Sequence, residues 1–173
     1  MNTERSAEEL IAQIEAAFRD IPYPDEKALV VDDHSHLDNC DDCQLAQVYF
    51  AERAWQELVD DVGMVSSLIC FLNHSAWHYF LPAHLVGNVK AKRYDIFHLQ
   101  LHDDGDESYR AWKEARFNRL NHLQTQAVIK YVEASITTHD QIGYLYPKRD
   151  QYLEALEYWR KKLEQDHDYY AAR

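Results

Sequence analysis

The stretch "NHSAWHYFLPAHLVGNV", residues 73–89, predicts a helix with a broad apolar face. Asn73 can cap its first turn, because an asparagine side-chain oxygen accepts a hydrogen bond from a free backbone amide at a helix start. Pro82 lies inside the pattern, so we expect it to kink the helix or to begin a second one. The apolar face recurs at helical spacing and consists of Ala76, Trp77, Phe80, Leu81 and Leu85.

Helical periodicity continues on both sides of this stretch. Ser6 and Glu9 form a capping-box pattern ahead of an apolar stripe near the start of the chain. Only four glycines and four prolines occur in 173 residues, which disfavours turn-rich sandwiches and barrels. We therefore predict an all-α fold, a single compact domain over residues 1–173 with about seven helices. The further helices are expected across residues 40–55, 55–72, 92–101, 108–120, 121–136 and 150–165.

Several of these helices carry expectations about individual side chains. The 40–55 helix should start at an Asp38 or Asn39 cap and turn Leu45, Val48 and Tyr49 inward. Residues 92–101 could instead form a strand, because Ile96, His98 and Gln100 alternate. The short apolar run "ALVVDD", residues 28–33, is expected to be extended. Asn121 is expected to cap the helix that follows it, as Asn73 does. Two further inward-facing side chains are predicted at Leu123 and Leu153.

The net charge of −12 limits the classes of partner. A surface this acidic repels nucleic-acid phosphates and anionic membranes, and it attracts a protein with a basic surface. The N-terminal sequence has no basic region followed by an apolar core, so we expect no signal peptide. Apolar runs are interrupted well short of a membrane span. Three cysteines form no even disulfide set, and the expected location is cytoplasmic.

A cluster of possible metal ligands lies in "DDHSHLDNCDDC", residues 32–43. Cys40 and Cys43 have the C-x-x-C spacing of a zinc half-site, and His36 lies four residues earlier, with His34 as a further candidate. These residues predict a possible zinc site, although no second half-site follows; Cys70 lies in an apolar run and is expected to be a buried thiol. A redox dithiol is disfavoured, because nearby aspartates oppose thiolate formation.

Recognisable catalytic motifs are missing from the sequence. It contains no nucleophile elbow, dinucleotide-binding fingerprint or P-loop. His74 and His78 are four residues apart, but no H-E-x-x-H pattern accompanies them. The sequence therefore leans against an enzyme. If the protein is one, we expect its site near the block that runs from His74 to His84.

Four groups of residues along the chain form a recognisable pattern. They are Leu10, Ile11, Ile14, Ala17 and Phe18; Cys40, Cys43 and Trp55; Phe71, Leu72, Ala76, Tyr79, Leu81, Pro82, Ala83 and Leu85; and Leu120, Gln124 and Val128. This pattern resembles a family of short bacterial proteins classed as a domain of unknown function, although Trp77 stands where the family tends to phenylalanine and His84 where tyrosine is usual. The resemblance implies a small, cytoplasmic, helical bacterial protein and no activity. It also implies that Cys40 and Cys43 belong together, because the family pattern contains both.

Three hypotheses of function follow from the sequence. The favoured one is a non-enzymatic acidic module that binds a basic protein, as an immunity-type or inhibitor-type protein would. The second is a zinc-binding structural or regulatory protein that uses His36, Cys40 and Cys43. The third is an enzyme with a site in the block from His74 to His84.

Overall fold

The computed structural model describes residues 3–25, 29–30, 40–101, 107–142 and 148–171. Within these residues the fold is all-α, as predicted, with seven α-helices and no named strand. The helices are α1 (Thr3–Ala17), α2 (Asp41–Phe50), α3 (Val62–Leu68), α4 (His74–Ala91), α5 (Glu107–Phe117), α6 (His122–Ile142) and α7 (Arg149–Ala171). Three short 3-10 turns lie at Trp55–Leu58, Ile69–Phe71 and Phe97–Leu99.

Helix α4 lies at the centre of the bundle. It packs against α1, α3 and α5 and against the 3-10 turns Trp55–Leu58 and Ile69–Phe71. Every residue from Tyr79 to Val89 is buried, so α4 is enclosed on all sides and not along one face only. Helix α4 also continues through Pro82 without a break, so the expectation that a second helix begins there is wrong. Surrounding contacts outweigh the low helix propensity of a proline at this position.

The other long helices pack around one contiguous hydrophobic core that extends from Leu10 to Trp159. Helix α6 contacts both α1 and α7. The Trp159 ring of α7 lies 4.7 Å from the Phe117 ring of α5, and its Nε1 donates to the Leu99 carbonyl at 3.0 Å. The prediction of one domain over residues 1–173 is consistent with this core and stays a prediction.

Of the four predicted helix caps, those at Asn73 and Asn121 are confirmed. Asn73 Oδ1 accepts from the Ala76 amide at 2.8 Å and caps α4. Asn121 Oδ1 accepts from the Gln124 amide, and Gln124 Oε1 accepts from the Asn121 amide, both at 3.0 Å. This is a reciprocal capping box. The Ser6 cap is wrong, because α1 already includes Thr3 and Ser6 lies inside it.

Residues 92–101 do not form the predicted helix, and only the 3-10 turn Phe97–Leu99 is helical there. Tyr94 has a left-handed backbone with φ of 51°. Asp95 Oδ1 accepts from the Phe97 amide at 2.9 Å, a local bond that competes with helical hydrogen bonding. Tyr94 and Asp95 therefore divert the backbone away from an α-helix, even though the apolar spacing fits one.

The described part of the "ALVVDD" run, residues 29–30, joins two helices. Val30 forms an isolated antiparallel bridge with Leu72, and the Leu29 carbonyl accepts from the Asn73 amide at 2.8 Å. The Leu29 amide donates to Gln47 Oε1 of α2 at 2.7 Å. An extended dipeptide thus connects α2 to the start of α4. Residues 28 and 31–33 lie outside the described residues.

Two leucines predicted to face inward lie at the surface. Leu123 in the first turn of α6 is 62% exposed, and Leu153 of α7 is also exposed. Both predictions are wrong, because each helix has more apolar positions than its neighbours cover. Over the described residues, no helix is both long enough and apolar enough to cross a membrane.

Candidate functional site

Helix α2 begins with an unusual cap. Cys40 is the N-cap residue, and its Sγ accepts from the Cys43 amide at 3.4 Å. Asp41 and Asp42 follow in the first turn, where the helix dipole stabilises negative charge. The cap is therefore a thiol rather than Asp38 or Asn39, which were predicted and which lie outside the described residues.

The inner face of α2 differs from the predicted one. Cys43, Ala46 and Phe50 are buried and are spaced three and four residues apart. Leu45, Val48 and Tyr49 were predicted to face inward. Leu45 and Val48 do not, and Tyr49 is only partly buried. Helix α2 has apolar residues on two faces. The face that packs into the core carries Phe50 and the smaller side chains of Cys43 and Ala46.

The outer face of α2, defined here as Asp41, Asp42, Leu45, Val48 and Glu52, is exposed. Leu45 is 46% exposed and Val48 is 76% exposed. Asp41, Leu45 and Val48 lie four and three residues apart and therefore form one stripe along the helix. The arrangement is an exposed aliphatic pair with carboxylates at both ends.

The C-terminal end of the outer face is fixed by side-chain contacts. Glu52 has a left-handed backbone with φ of 58°, and its amide donates to Tyr23 Oη at 2.9 Å. Tyr49 Oη donates to Asp61 Oδ2 at 2.8 Å. Burial, followed by the hydrogen bond to Asp61, raises the pKa of Tyr49 to about 12. The Arg53 guanidinium lies 4.8 Å from the Tyr49 ring centroid. This end of the face is consequently held in one conformation.

The three cysteines are free thiols. Cys43 is buried, and burial, followed by a hydrogen bond with Cys40, raises the pKa of its thiol to about 12. Charges on Cys40, Asp42 and Cys70 act in the same direction. Cys70 is partly exposed, which corrects the expectation of a buried thiol. Its Sγ donates to the Ser67 carbonyl at 3.5 Å.

Only the two cysteines among the predicted zinc ligands lie within the described residues. Cys40 and Cys43 lie on one turn at the start of α2, whereas His34 and His36 lie outside the described residues. Within the described ranges, no group of three or more histidine, cysteine, aspartate or glutamate side chains is arranged to hold a metal ion. The set His36, Cys40 and Cys43 therefore stays a prediction.

A buried histidine pair joins α4 to the Phe97–Leu99 turn. The rings of His84 and His98 lie 5.1 Å apart in an edge-on arrangement. His98 Nε2 donates to the Ser66 carbonyl at 2.8 Å. His84 Nδ1 lies 3.1 Å from Ser66 Oγ and 3.3 Å from Asn88 Nδ2, which donates to it. Burial, followed by the charge on His84, lowers the pKa of His98 to about 3. Both rings are therefore neutral at pH 7 and serve to hold the core together.

Two cations of α5 are also buried, Lys113 and Arg116. Lys113 Nζ donates to the Gln100 carbonyl at 2.7 Å. Arg116 donates to the carbonyls of Cys70 and Leu72, and its guanidinium lies 3.4 Å from the Trp112 ring centroid. Burial lowers the pKa of Arg116 to about 9, so it remains charged at pH 7. The burial of these two residues is not predictable from the sequence, because nothing near them in the chain distinguishes them from surface cations.

A surface groove of about 670 Å³ lies between the end of α1, α4 and the start of α6. Ser75, His78 and Arg119 contribute to its lining. His78 Nε2 donates to Gln124 Oε1 at 2.9 Å, and burial lowers the pKa of His78. The block from His74 to His84 is therefore divided, with His78 at the groove and His84 in the core. The hypothesis of an enzyme site in this block stays a prediction.

The comparisons with known proteins identify the family and add no function. Neither the curated proteins nor the solved structures contain a match to this chain. Residues 6–163 match the family of unknown function DUF6714, a range that extends from α1 into α7 and confirms the resemblance seen in the sequence. The chain therefore belongs to the family of unknown function DUF6714.

Proposed function

We propose that the protein binds another protein through the outer face of α2, and that the partner contributes a basic surface. The supporting observation is the exposed pair Leu45 and Val48 with carboxylates at both ends. The pair offers apolar area that the core does not use, and apolar contacts surrounded by charge are typical of the core and rim of a protein interface.

Charge complementarity favours a basic partner over other classes. Asp41, Asp42 and Glu52 lie on the face itself, and Asp61 is joined to it through Tyr49. The chain as a whole carries −12. This field accelerates association with a positive surface and opposes association with nucleic acid or anionic lipid. An immunity-type or inhibitor-type protein that masks a basic partner would use such a face, and the proposal includes a cytoplasmic location for the protein.

The fixed backbone around the face also suits binding. Gln47 holds Leu29, and Tyr23 holds the turn after α2 at Glu52. A face that is already ordered loses little conformational entropy when a partner docks. The face therefore needs no rearrangement before it binds.

The test is capture of a partner with matched surface variants. The wild-type protein, Val48→Lys and the control Leu123→Lys are immobilised and exposed to lysate at low salt, and bound proteins are identified by mass spectrometry. We expect a basic protein that is released by salt, retained by the control and bound about tenfold more weakly by Val48→Lys, because a hot-spot apolar contact contributes about 1–2 kcal/mol. Equal capture by Val48→Lys and the control contradicts the proposal.

The zinc-binding alternative has one specific supporting observation, the placement of Cys40 and Cys43 on one helical turn. A C-x-x-C pair in this arrangement provides two of the four ligands of a structural zinc site. Elemental analysis of protein purified without chelator tests this alternative. Stoichiometric zinc that is lost in Cys40→Ser supports it, and absence of zinc removes it.

A further inference from the structure

We propose that Cys40 and Cys43 form a reversible intramolecular disulfide through exchange with a disulfide co-reactant. The proposal goes beyond partner binding, because it assigns a two-electron redox couple to the first turn of α2. The sequence disfavours such a pair, since its acidic neighbours oppose thiolate formation. The structure supplies contacts that sequence spacing does not reveal.

The first line of argument is the position of the two sulfur atoms. Cys40 caps α2, and its Sγ accepts from the Cys43 amide at 3.4 Å. Positions three residues apart on a helix lie about 5–6 Å apart at Cβ, and a disulfide needs about 3.5–4.5 Å. Cys40 is the N-cap residue and has extended backbone, with φ of −120° and ψ of 103°, so its side chain is not bound to the spacing of the helix interior.

The second line of argument is the difference in exposure. Cys40 is partly exposed, whereas Cys43 is 3% exposed. A disulfide in solution can therefore reach Cys40 first, and Cys43 is protected until Cys40 has reacted. Intramolecular disulfide formation by exchange needs an accessible thiol that reacts first and a second thiol in contact with it, and Cys40 and Cys43 provide the two.

The third line of argument is that the Cys70 thiol already has a hydrogen-bond partner within its own turn. Its Sγ donates to the Ser67 carbonyl at 3.5 Å. The turn Ile69–Phe71 packs against α2, so Cys70 is the neighbouring thiol that could compete for the pair. Cys70 therefore serves as the internal reference thiol of the same chain, and Cys70→Ser removes the competition.

The reaction balances as two successive exchanges. The Cys40 thiolate attacks one sulfur of oxidised glutathione, so that a mixed disulfide forms and one glutathione leaves as thiolate. Cys43 then attacks the Cys40 sulfur, the Cys40–Cys43 bond forms, and the second glutathione leaves. Two protein thiols are oxidised by two electrons, one disulfide is reduced to two thiols, and the two protein protons end on the two glutathione molecules.

The test uses the full-length protein and Cys70→Ser, each with and without chelator, and oxidised glutathione is the probe. Remaining thiols are alkylated, and the tryptic peptide between Lys27 and Arg53, which contains only these two cysteines, is analysed by mass spectrometry. We expect this peptide to lose two hydrogen atoms in both proteins and to recover them with dithiothreitol. In Cys43→Ala, glutathione should remain attached to Cys40. In the reduced protein, Cys40 should be alkylated at least about tenfold faster than Cys43.

Four results overturn the proposal. They are an unreacted peptide, glutathione that persists on Cys40 when Cys43 is present, a bond from either cysteine to Cys70, and protection from alkylation that the chelator abolishes. The last result indicates a bound metal. The wild-type and Cys70→Ser measurements leave α2 unaltered, so the result does not depend on whether Cys43→Ala folds.

Discussion

Acid should destabilise the protein through the buried His84–His98 pair, and His98 allows the size of the effect to be calculated. His98 is neutral in the folded state, where burial and the charge on His84 lower its pKa to about 3. Lys113 and Arg116 act in the same direction, and only the Ser66 carbonyl opposes them. In the unfolded chain the ring titrates near its ordinary pKa of 6.5.

The direction of the pH effect on the free energy of unfolding follows from the number of protons bound in each state. Between pH 6.5 and pH 3 the unfolded chain binds a proton at His98 and the folded protein does not. Stability is therefore fully present above pH 6.5 and is lost as the pH falls. The loss is about 1.4 kcal/mol per pH unit and approaches about 5 kcal/mol across the window, a large share of the stability of about 5–15 kcal/mol that is typical of a domain. His84 adds to the loss, because burial also lowers its pKa.

The assay is urea unfolding of wild type and His98→Gln at several pH values from 7.5 to 4.5. Glutamine keeps an N–H donor for the Ser66 carbonyl but has no proton to gain. We expect His98→Gln to be less stable at pH 7.5 and to show a free energy of unfolding whose pH slope is smaller by about 1.4 kcal/mol per unit below pH 6. The surface variant His122→Gln controls for loss of a histidine as such. Identical slopes in wild type and His98→Gln would refute the reasoning.

Two further predictions concern packing and capping. Gly87→Ala should lower the free energy of unfolding by about 1–3 kcal/mol, because its Cβ would lie 2.7 Å from the Val59 carbonyl oxygen; the matched change Gly63→Ala, with nothing within 4 Å, should be neutral or stabilising in the same urea titration. Gln124→Ala should lower the free energy of unfolding by about 2–3 kcal/mol, because the Asn121 amide and His78 Nε2 both lose the Gln124 Oε1 acceptor, although the Asn121 cap itself is kept. The exposed variant Gln126→Ala is the control. A urea midpoint of Gln124→Ala that equals the wild-type value counts against a stabilising role for the Gln124 side chain.

Local chemistry explains which parts of the fold the sequence could predict. The Asn73 and Asn121 caps follow from side-chain groups acting within three residues, and both are confirmed. The all-α class follows from helical periodicity and from the scarcity of glycine and proline. The helix predicted over residues 92–101 does not form, because Asp95 Oδ1 accepts from the Phe97 amide, a competition that apolar spacing does not indicate.

The candidate site was harder to predict, because its assignment depends on distant contacts. Helix α2 has two apolar faces, and only the neighbours of Cys43, Ala46 and Phe50 decide which one is buried. The His84–His98 pair is assembled from residues fourteen positions apart together with Ser66 from another helix. No local signal reports such a pairing. The spacing of the two cysteines is readable from the sequence, but the contact between Cys40 Sγ and the Cys43 amide depends on where α2 begins.

The buried Arg116 has a consequence for how α2 is oriented. It connects α5 to the carbonyls of residues 70 and 72, Leu72 pairs with Val30, and the neighbouring Leu29 is held by Gln47 of α2. The orientation of α2 is thus set through a chain of largely buried hydrogen bonds that starts on a helix remote in sequence. Ionic strength screens exposed charge pairs far more than buried contacts of this kind. Salt that weakens the proposed capture of a basic partner should therefore leave the alignment of α2 intact.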